Sequence, residues 1–217
     1  MEKTLRMPMD TSIIIDSALK LAGGALGVKL LDHYILKRKA KKEVKQKDEF
    51  LASLKDISAM NSYMSDVIDN TPADRFLILM GHDSGNIPNP KHPYYAKAMW
   101  QKIKVALHSP VHDSDSLIRR FDSIRVDFEY INMVIELMTK GSVKLVVDEM
   151  PNCFLKTIYK GEGIKYSEVY FLAQEKSSKI YYCSIATAKE DERFDGAEDR
   201  GKIELAVNHI RQIFSKV

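Results

Sequence analysis

The sequence has 217 residues, with 33 lysines and arginines against 30 aspartates and glutamates, so its net charge is +3. This length suits one domain of about 150 residues with an appendage, and it is too great for a small stapled scaffold. Hydrophobic residues make up 45% and charged residues 29% of the chain, which argues against wholesale disorder. Its two cysteines exclude a disulfide framework and a multi-cysteine zinc site.

The charge is unevenly distributed along the chain. Residues 1–55 carry 12 basic and 7 acidic residues, a balance of +5, whereas residues 56–217 carry 21 and 23, a balance of −2. We therefore predict a basic N-terminal arm, residues 1–47, followed by a near-neutral domain, residues 48–217. The opening MEKTLRMPMD lacks the apolar core of a signal peptide, so a cytoplasmic location is expected.

Residues 12–36 form the most apolar part of the arm. Four charges interrupt this segment, at Asp16, Lys20, Lys29 and Asp32. Each would cost about 2.5–3.5 kcal/mol near the centre of a bilayer, so a membrane span is disfavoured. The spacing instead predicts an amphipathic helix, and the glycines of residues 23–27 favour a break or a kink within it.

The arm has the composition of an association segment. Its apolar face includes Ile15, Leu19 and Leu26, and a basic cluster that includes Lys37, Arg38 and Lys39 follows. Such a segment can bind a partner or an anionic membrane surface, and a solvated basic helix has the same composition. We expect a homo-oligomer formed through N-terminal helices, and leave peripheral membrane contact open as the alternative.

The domain begins with a helix and two strands. Helical spacing covers residues 48–69, and Asn70-Thr71-Pro72 ends that helix, because proline disfavours helical geometry in the residue before it. The apolar run Phe76–Met80 predicts a buried strand. Residues 94–107 predict a second strand, with a helix as the alternative, and residues 109–125 read as a loop.

The remaining elements complete an α+β fold. The pattern predicts, in order, a helix over 127–138, a strand over 143–147, a short helix over 151–160, a hairpin of strands 168–173 and 180–187, and a closing helix over 197–215. This order gives a central antiparallel sheet with flanking helices, preceded by the amphipathic helical arm.

Residues 50–217 resemble a GAF-like domain. The passage Asp69–Arg75 before the first strand is similar to the family's first helix-to-strand passage, and His82-Asp83-Ser84-Gly85 is similar to the turn that follows that strand in some members. The segments 168–172 and 180–186 resemble its last two strands. The chain also resembles a branch of short GAF-like proteins found in bacteriophages and environmental bacteria.

The resemblance implies a non-enzymatic sensor or adaptor that often dimerises through an N-terminal helix. In that fold a ligand lies between one sheet face and the segments that cross it. Candidate ligand-binding residues are therefore His82, Asp83, Asn86, Asp148, Cys153, Tyr166 and Ser184. For His82 and Asp83 a turn-stabilising role is the alternative, and for Asp148 the capping of the helix that follows.

No other chemistry is indicated strongly. The spacing His108-x-x-x-His112 suits a metal, but Pro110 interrupts the helix that would align these side chains, so no metal site is expected. Neither cysteine has an adjacent base, so no catalytic residue is assigned. The cofactor is unknown, and nucleic-acid binding is not expected because the domain is net negative. The alternative function is a structural or viral assembly scaffold that uses the fold without a ligand.

Overall fold

The computed structural model describes residues 11–83, 93–104, 116–175, 179–189 and 193–216. Side chains are not described for residues 11–36, 38, 40, 116 and 117. The chain divides into two units, Met1–Lys55 and Asp56–Val217. Helix α1, Thr11–Asn70, runs without interruption, so a break near residues 23–27 is wrong, and the alternative of a kink there stays a prediction.

Among the described residues of the second unit, six strands and four further helices follow α1. The strands are β1 Arg75–His82, β2 Tyr95–Ile103, β3 Ile124–Arg125, β4 Ser142–Val146, β5 Tyr166–Gln174 and β6 Ile180–Thr187. The helices are α2 Ser116–Arg120, α3 Phe128–Lys140, α4 Phe154–Gly161 and α5 Ala197–Phe214.

The strands form one antiparallel sheet in the order β3-β2-β1-β6-β5-β4. Successive side chains of a strand point to opposite faces, so each central strand contributes to two cores. On β6, Tyr182 faces α3 and α4, whereas Cys183 and Ile185 face α1 and α5. The observed α+β architecture, with a central antiparallel sheet and flanking helices, confirms the predicted fold class.

The end of α1 is part of the domain core. Met60, Met64, Val67 and Ile68 are buried with residues of α5, whereas every described residue from 37 to 55 is exposed. The helix stops at Asn70, as predicted from the proline that follows. The Thr71 hydroxyl then donates to the Val67 carbonyl and satisfies one of the terminal acceptors.

The prediction of a loop over residues 109–125 is partly wrong. Its described portion contains the five-residue helix α2 and the two-residue strand β3. Elements this short show no hydrophobic period, so the sequence pattern could not reveal them. Residues 109–115 lie outside the described chain.

One aspartate accepts hydrogen bonds from first-turn amides of two helices on the same face of the sheet. The Asp127 Oδ1 atom accepts from the Tyr130 amide at the start of α3, and its Oδ2 atom accepts from the Phe154 amide at the start of α4. Helix α3 ends at Gly141, whose φ of 80° is the left-handed conformation that glycine adopts without strain. These contacts fix α3 and α4 above the sheet, where a ligand was expected.

Candidate ligand site

The predicted ligand-binding residues occupy several separate environments. His82 ends β1, where its ring stacks on Tyr95 at 5.6 Å between centroids. Asp83 follows and is buried. Asn86 lies outside the described residues. His82 and Asp83 are thus adjacent at one end of the sheet.

A close contact shapes this end of β1. The Tyr94 hydroxyl lies directly over Gly81, where a Cβ atom would come within 2.1 Å of it. Tyr94 is buried, so its ring has little freedom to move aside. Only glycine at position 81 admits the tyrosine, which occupies space beside His82 and Asp83.

Ser184 belongs to a buried group of three hydroxyls on the sheet face below α4. Its Oγ atom lies 3.0 Å from the Tyr159 hydroxyl and 2.9 Å from the Ser167 Oγ atom. The Tyr159 hydroxyl also donates to Ser167 across 3.3 Å. Each hydroxyl therefore has partners within the group, and none needs a ligand to satisfy it.

A separate pair of hydroxyls lies close to this group, on the same face of the sheet. The Tyr130 and Tyr182 oxygens are 2.6 Å apart, and both rings are buried. Burial raises the pKa of both phenols well above the usual range for tyrosine. The phenols therefore remain neutral near neutral pH, and the pair is a hydrogen bond without charge.

The space between the central strands of the sheet and helices α3 and α4 is almost filled. The cavity that remains there measures about 10 Å³, which is about the space that one water molecule occupies. Its lining includes Tyr130, Tyr159, Tyr182 and Ser184. Within the described residues, the tyrosine side chains occupy the position where the family resemblance placed a ligand.

Tyr166 lies on the opposite face of the sheet from Ser184. It packs on Phe194 at 5.5 Å between ring centroids, and its hydroxyl donates to the buried Glu168 carboxylate across 2.6 Å. Tyr170 donates to the same carboxylate. Tyr166 and Ser184 cannot therefore line one cavity, contrary to the shared pocket that we expected.

Asp148 is an exposed residue of the turn between β4 and α4. Its carboxylate pairs with Lys160 at 3.2 Å and with Lys165 at 3.6 Å, and these partners lower its pKa, chiefly through the Lys160 hydrogen bond. The alternative role proposed for it, capping of the short helix, is wrong. The cap is Cys153, whose sulfur accepts from the Lys156 amide at 3.4 Å.

The second cysteine has no catalytic environment. Cys183 is buried in the sheet on the α5 side, and burial raises its pKa to about 12. Its thiol is therefore almost entirely protonated near neutral pH and is a poor nucleophile.

The side chains that fill this site were not among the ligand-binding residues predicted from the sequence. Tyr130 and Tyr159 lie within predicted helices, Tyr182 lies within a predicted strand, and Ser167 directly precedes one. Only the period-two alternation of β6 places Tyr182 and Ser184 on one face. Which helix would cover them, and how closely, depends on packing between distant segments.

Other sequence-based expectations concern the arm and metals. Lys37 and Lys39 are exposed on α1, whereas the side chains of Ile15, Leu19, Leu26 and Arg38 lie outside the description. No described helix has a stretch apolar enough to cross a membrane. The described part of the chain contains no group of three or more His, Cys, Asp or Glu that could hold a metal ion, and His108 and His112 fall outside that part.

Comparison with solved structures establishes the fold. The chain is similar to the GAF domain region of a putative membrane protein from Geobacter sulfurreducens PCA, with 9% identity, a TM-score of 0.50 and coverage of 78% of this chain and 99% of that one. It is likewise similar to a GAF domain in its photoproduct state from Synechocystis sp. PCC6803, with 9% identity, a TM-score of 0.50 and coverage of 74% and 98%. No protein-family model and no curated protein matches the chain. The domain therefore has a GAF-like fold.

The environment of His82 predicts a dependence of stability on pH. Its pKa is lowered from the usual value of 6.5, first by burial and then by Lys97. The unfolded chain therefore binds a proton at a higher pH than the folded chain does. The stability that His82 contributes is complete above about pH 6.5 and is lost as the pH falls toward its folded-state pKa.

We expect urea unfolding to show lower stability at about pH 5 than at about pH 7.5, and His82→Phe to reduce that difference. Phenylalanine keeps the ring on Tyr95 and cannot be protonated. A variant with the full pH dependence of the wild type would show that other groups are responsible.

Proposed function

We propose that this protein is a non-enzymatic adaptor with a GAF-like domain whose ligand position is filled by its own side chains. The observation that carries this proposal is the cavity of about 10 Å³ between the sheet and α3 and α4. Small-molecule sites usually measure about 300–1,000 Å³. The tyrosine and serine hydroxyls that line this cavity hydrogen-bond to one another, so none of these lining groups needs a ligand as its partner.

The adaptor role rests on α1, through which we propose that two copies associate. Phe50, Leu54 and Ile57 follow the i, i+4, i+7 spacing of one helix face, and they are 62%, 45% and 40% exposed. Met64 and Ile68 continue the same stripe and are buried in the domain. An apolar stripe that continues beyond the core is typical of a surface that a second protein covers.

One ion pair of this part of α1 lies away from the stripe. Lys45 pairs with Glu49 one turn away at 3.6 Å, and at about 100° per residue they lie about 140° and 100° around the helix from Phe50. The pair therefore leaves the apolar stripe uncovered. A peripheral membrane contact, the second association expected for the arm, would use the basic cluster of residues 37–47 instead.

Native mass spectrometry of the full chain purified from cells tests both parts of this proposal. We expect masses at whole multiples of the chain, without a retained small molecule, and a dimer among the species. Leu54→Glu should shift the population to monomer, because a carboxylate within an apolar helix seam is costly. Ala52→Glu is the matched control, since residue 52 lies about 200° around the helix from residue 50 and is also exposed.

Three outcomes would overturn the proposal. A retained small molecule would assign the domain to ligand sensing. A wild-type chain that is monomeric up to about 100 μM would remove the proposed dimer, because useful self-association needs a Kd near or below working concentration. Co-sedimentation with anionic phospholipid vesicles that Leu54→Glu abolishes, without any effect on oligomer mass, would assign the helix face to a membrane.

A further inference from the structure

The groove between α3 and β4 combines a free sheet edge, an apolar floor and an acidic rim. Strand β4 lies at one end of the strand order, and among the described strands it pairs with β5 alone. The groove beside it has a volume of about 180 Å³. It adjoins the small interior cavity, with which it shares Tyr130, Met133 and Leu155.

The backbone of β4 offers hydrogen-bonding groups to this edge. The Phe171 amide donates to the Gly141 carbonyl, and the Val147 amide donates to the Lys165 carbonyl. The backbone amides and carbonyls of successive residues point to opposite sides of an antiparallel strand. Those of odd-numbered β4 residues therefore bond to β5, and those of even-numbered residues point away from β5. The amides and carbonyls of Ser142 and Lys144 therefore face the open side, whereas the Val146 carbonyl already accepts from Glu149.

The side chains around the groove define what could fill it. Met133 of α3 and Val143, Leu145 and Met150 on the β4 side supply an apolar floor. Of the described residues that line it, Glu129 and Glu136 of α3 are the only charged ones. Glu136 also pairs with Lys140 one turn away, an exposed interaction that contributes little.

We propose that this groove binds an extended peptide segment that adds a strand to β4 and carries apolar and basic residues at alternate positions. Strand addition satisfies the outward amides and carbonyls of Ser142 and Lys144. Every second side chain of the added strand then points toward α3. Apolar side chains there cover the floor, and a lysine or arginine among them reaches Glu129 or Glu136, which makes the charges complementary.

The probe is a pair of fluorescent five-residue peptides with free backbone amides, Val-Thr-Lys-Thr-Val and Val-Thr-Glu-Thr-Val, tested on the full chain by anisotropy. We expect the lysine peptide to bind and the glutamate peptide to bind about tenfold more weakly or not at all, because the rim is acidic. Exchanging both rim glutamates, Glu129→Gln with Glu136→Gln, should remove the difference between the two peptides. These two residues are exposed, so this variant should fold.

A proline at the edge separates strand addition from simple charge attraction. Lys144→Pro removes an outward amide that β5 does not use, a position where edge strands tolerate proline. We expect Lys144→Pro to weaken the binding of the lysine peptide by at least about tenfold. Lys144→Ala loses the same side chain but keeps the amide, so it should change the affinity for this peptide by less than about threefold.

Equal binding by Lys144→Pro and Lys144→Ala would overturn strand addition, provided that both variants retain the wild-type circular dichroism spectrum. Equal affinity of the two peptides for the wild type would overturn the charge preference. No binding of the lysine peptide up to about 1 mM, a concentration that reveals even weak complexes, would overturn the site.

Discussion

Replacing Arg75 by methionine is expected to lower the free energy of unfolding by about 3 kcal/mol, because it leaves the Glu162 carboxylate buried without its main partner. The Arg75 Nη1 atom lies 2.6 Å from Glu162 Oε2, and the Nη2 atom donates to the Glu162 carbonyl across 3.1 Å. Both side chains are less than one-tenth exposed. Arg120, which is half-exposed, holds the other carboxylate oxygen at 3.0 Å and keeps the loss from being larger.

The ion pair between Arg75 and Glu162 stabilises the fold because it connects parts of the chain that are distant in sequence. Arg75 opens β1, Glu162 follows α4, and Arg120 ends α2, so one carboxylate joins three elements. A double-mutant cycle with Arg75→Met and Glu162→Gln isolates the interaction, since the double variant removes both charges at once. We expect it to be more stable than the sum of the single losses predicts.

Urea unfolding monitored by circular dichroism is the measurement. Lys140→Met is the control, because it breaks an exposed pair with Glu136 and should change stability by no more than about 0.5 kcal/mol. A loss below about 1 kcal/mol for Arg75→Met, or strict additivity in the cycle, would show that the pair does not stabilise the fold as described.

The elements of the domain were predictable because each carries its own local pattern. Phe76–Met80 is a continuous apolar run at the centre of β1. For α3 the apolar spacing predicted the helix but not its buried face, because Phe128, Ile135 and Met138 are exposed and Tyr130, Met133, Val134 and Leu137 are buried. Gly141 ends α3 in the left-handed conformation that its position suggests. Local chemistry therefore yields helices and strands, and their order yields the GAF-like sheet.

The candidate site was less predictable because its character depends on contacts that are distant in sequence. Tyr130 meets Tyr182 across 52 residues, and Asp127 reaches the start of α4 across 27 residues. Asp148 has the local position of a helix cap, yet its lysine partners bind it instead. Whether a pocket is open or filled follows from side-chain volumes on facing elements, which no single segment of sequence contains.

Replacing Tyr130 by alanine is expected to produce the largest loss, about 3–5 kcal/mol, and to open the interior that the wild type fills. Its ring is buried beside the cavity of about 10 Å³, and its hydroxyl is the partner of Tyr182. Removing the ring leaves a space that matches a phenol in shape. Tyr130→Phe keeps the ring, loses only the hydroxyl, and should cost about 1–3 kcal/mol because the Tyr182 hydroxyl loses its partner.

Thermal unfolding with and without p-cresol then tests whether the tyrosine substitutes for a ligand. A compound that binds only the folded chain raises its stability by mass action, so p-cresol should raise the Tm of Tyr130→Ala in a saturable manner. It should leave the wild type and Tyr130→Phe unchanged, because their interior is full. An equal rise in Tm for the wild type would show that its interior already admits a ligand, and the adaptor proposal would give way to a sensor.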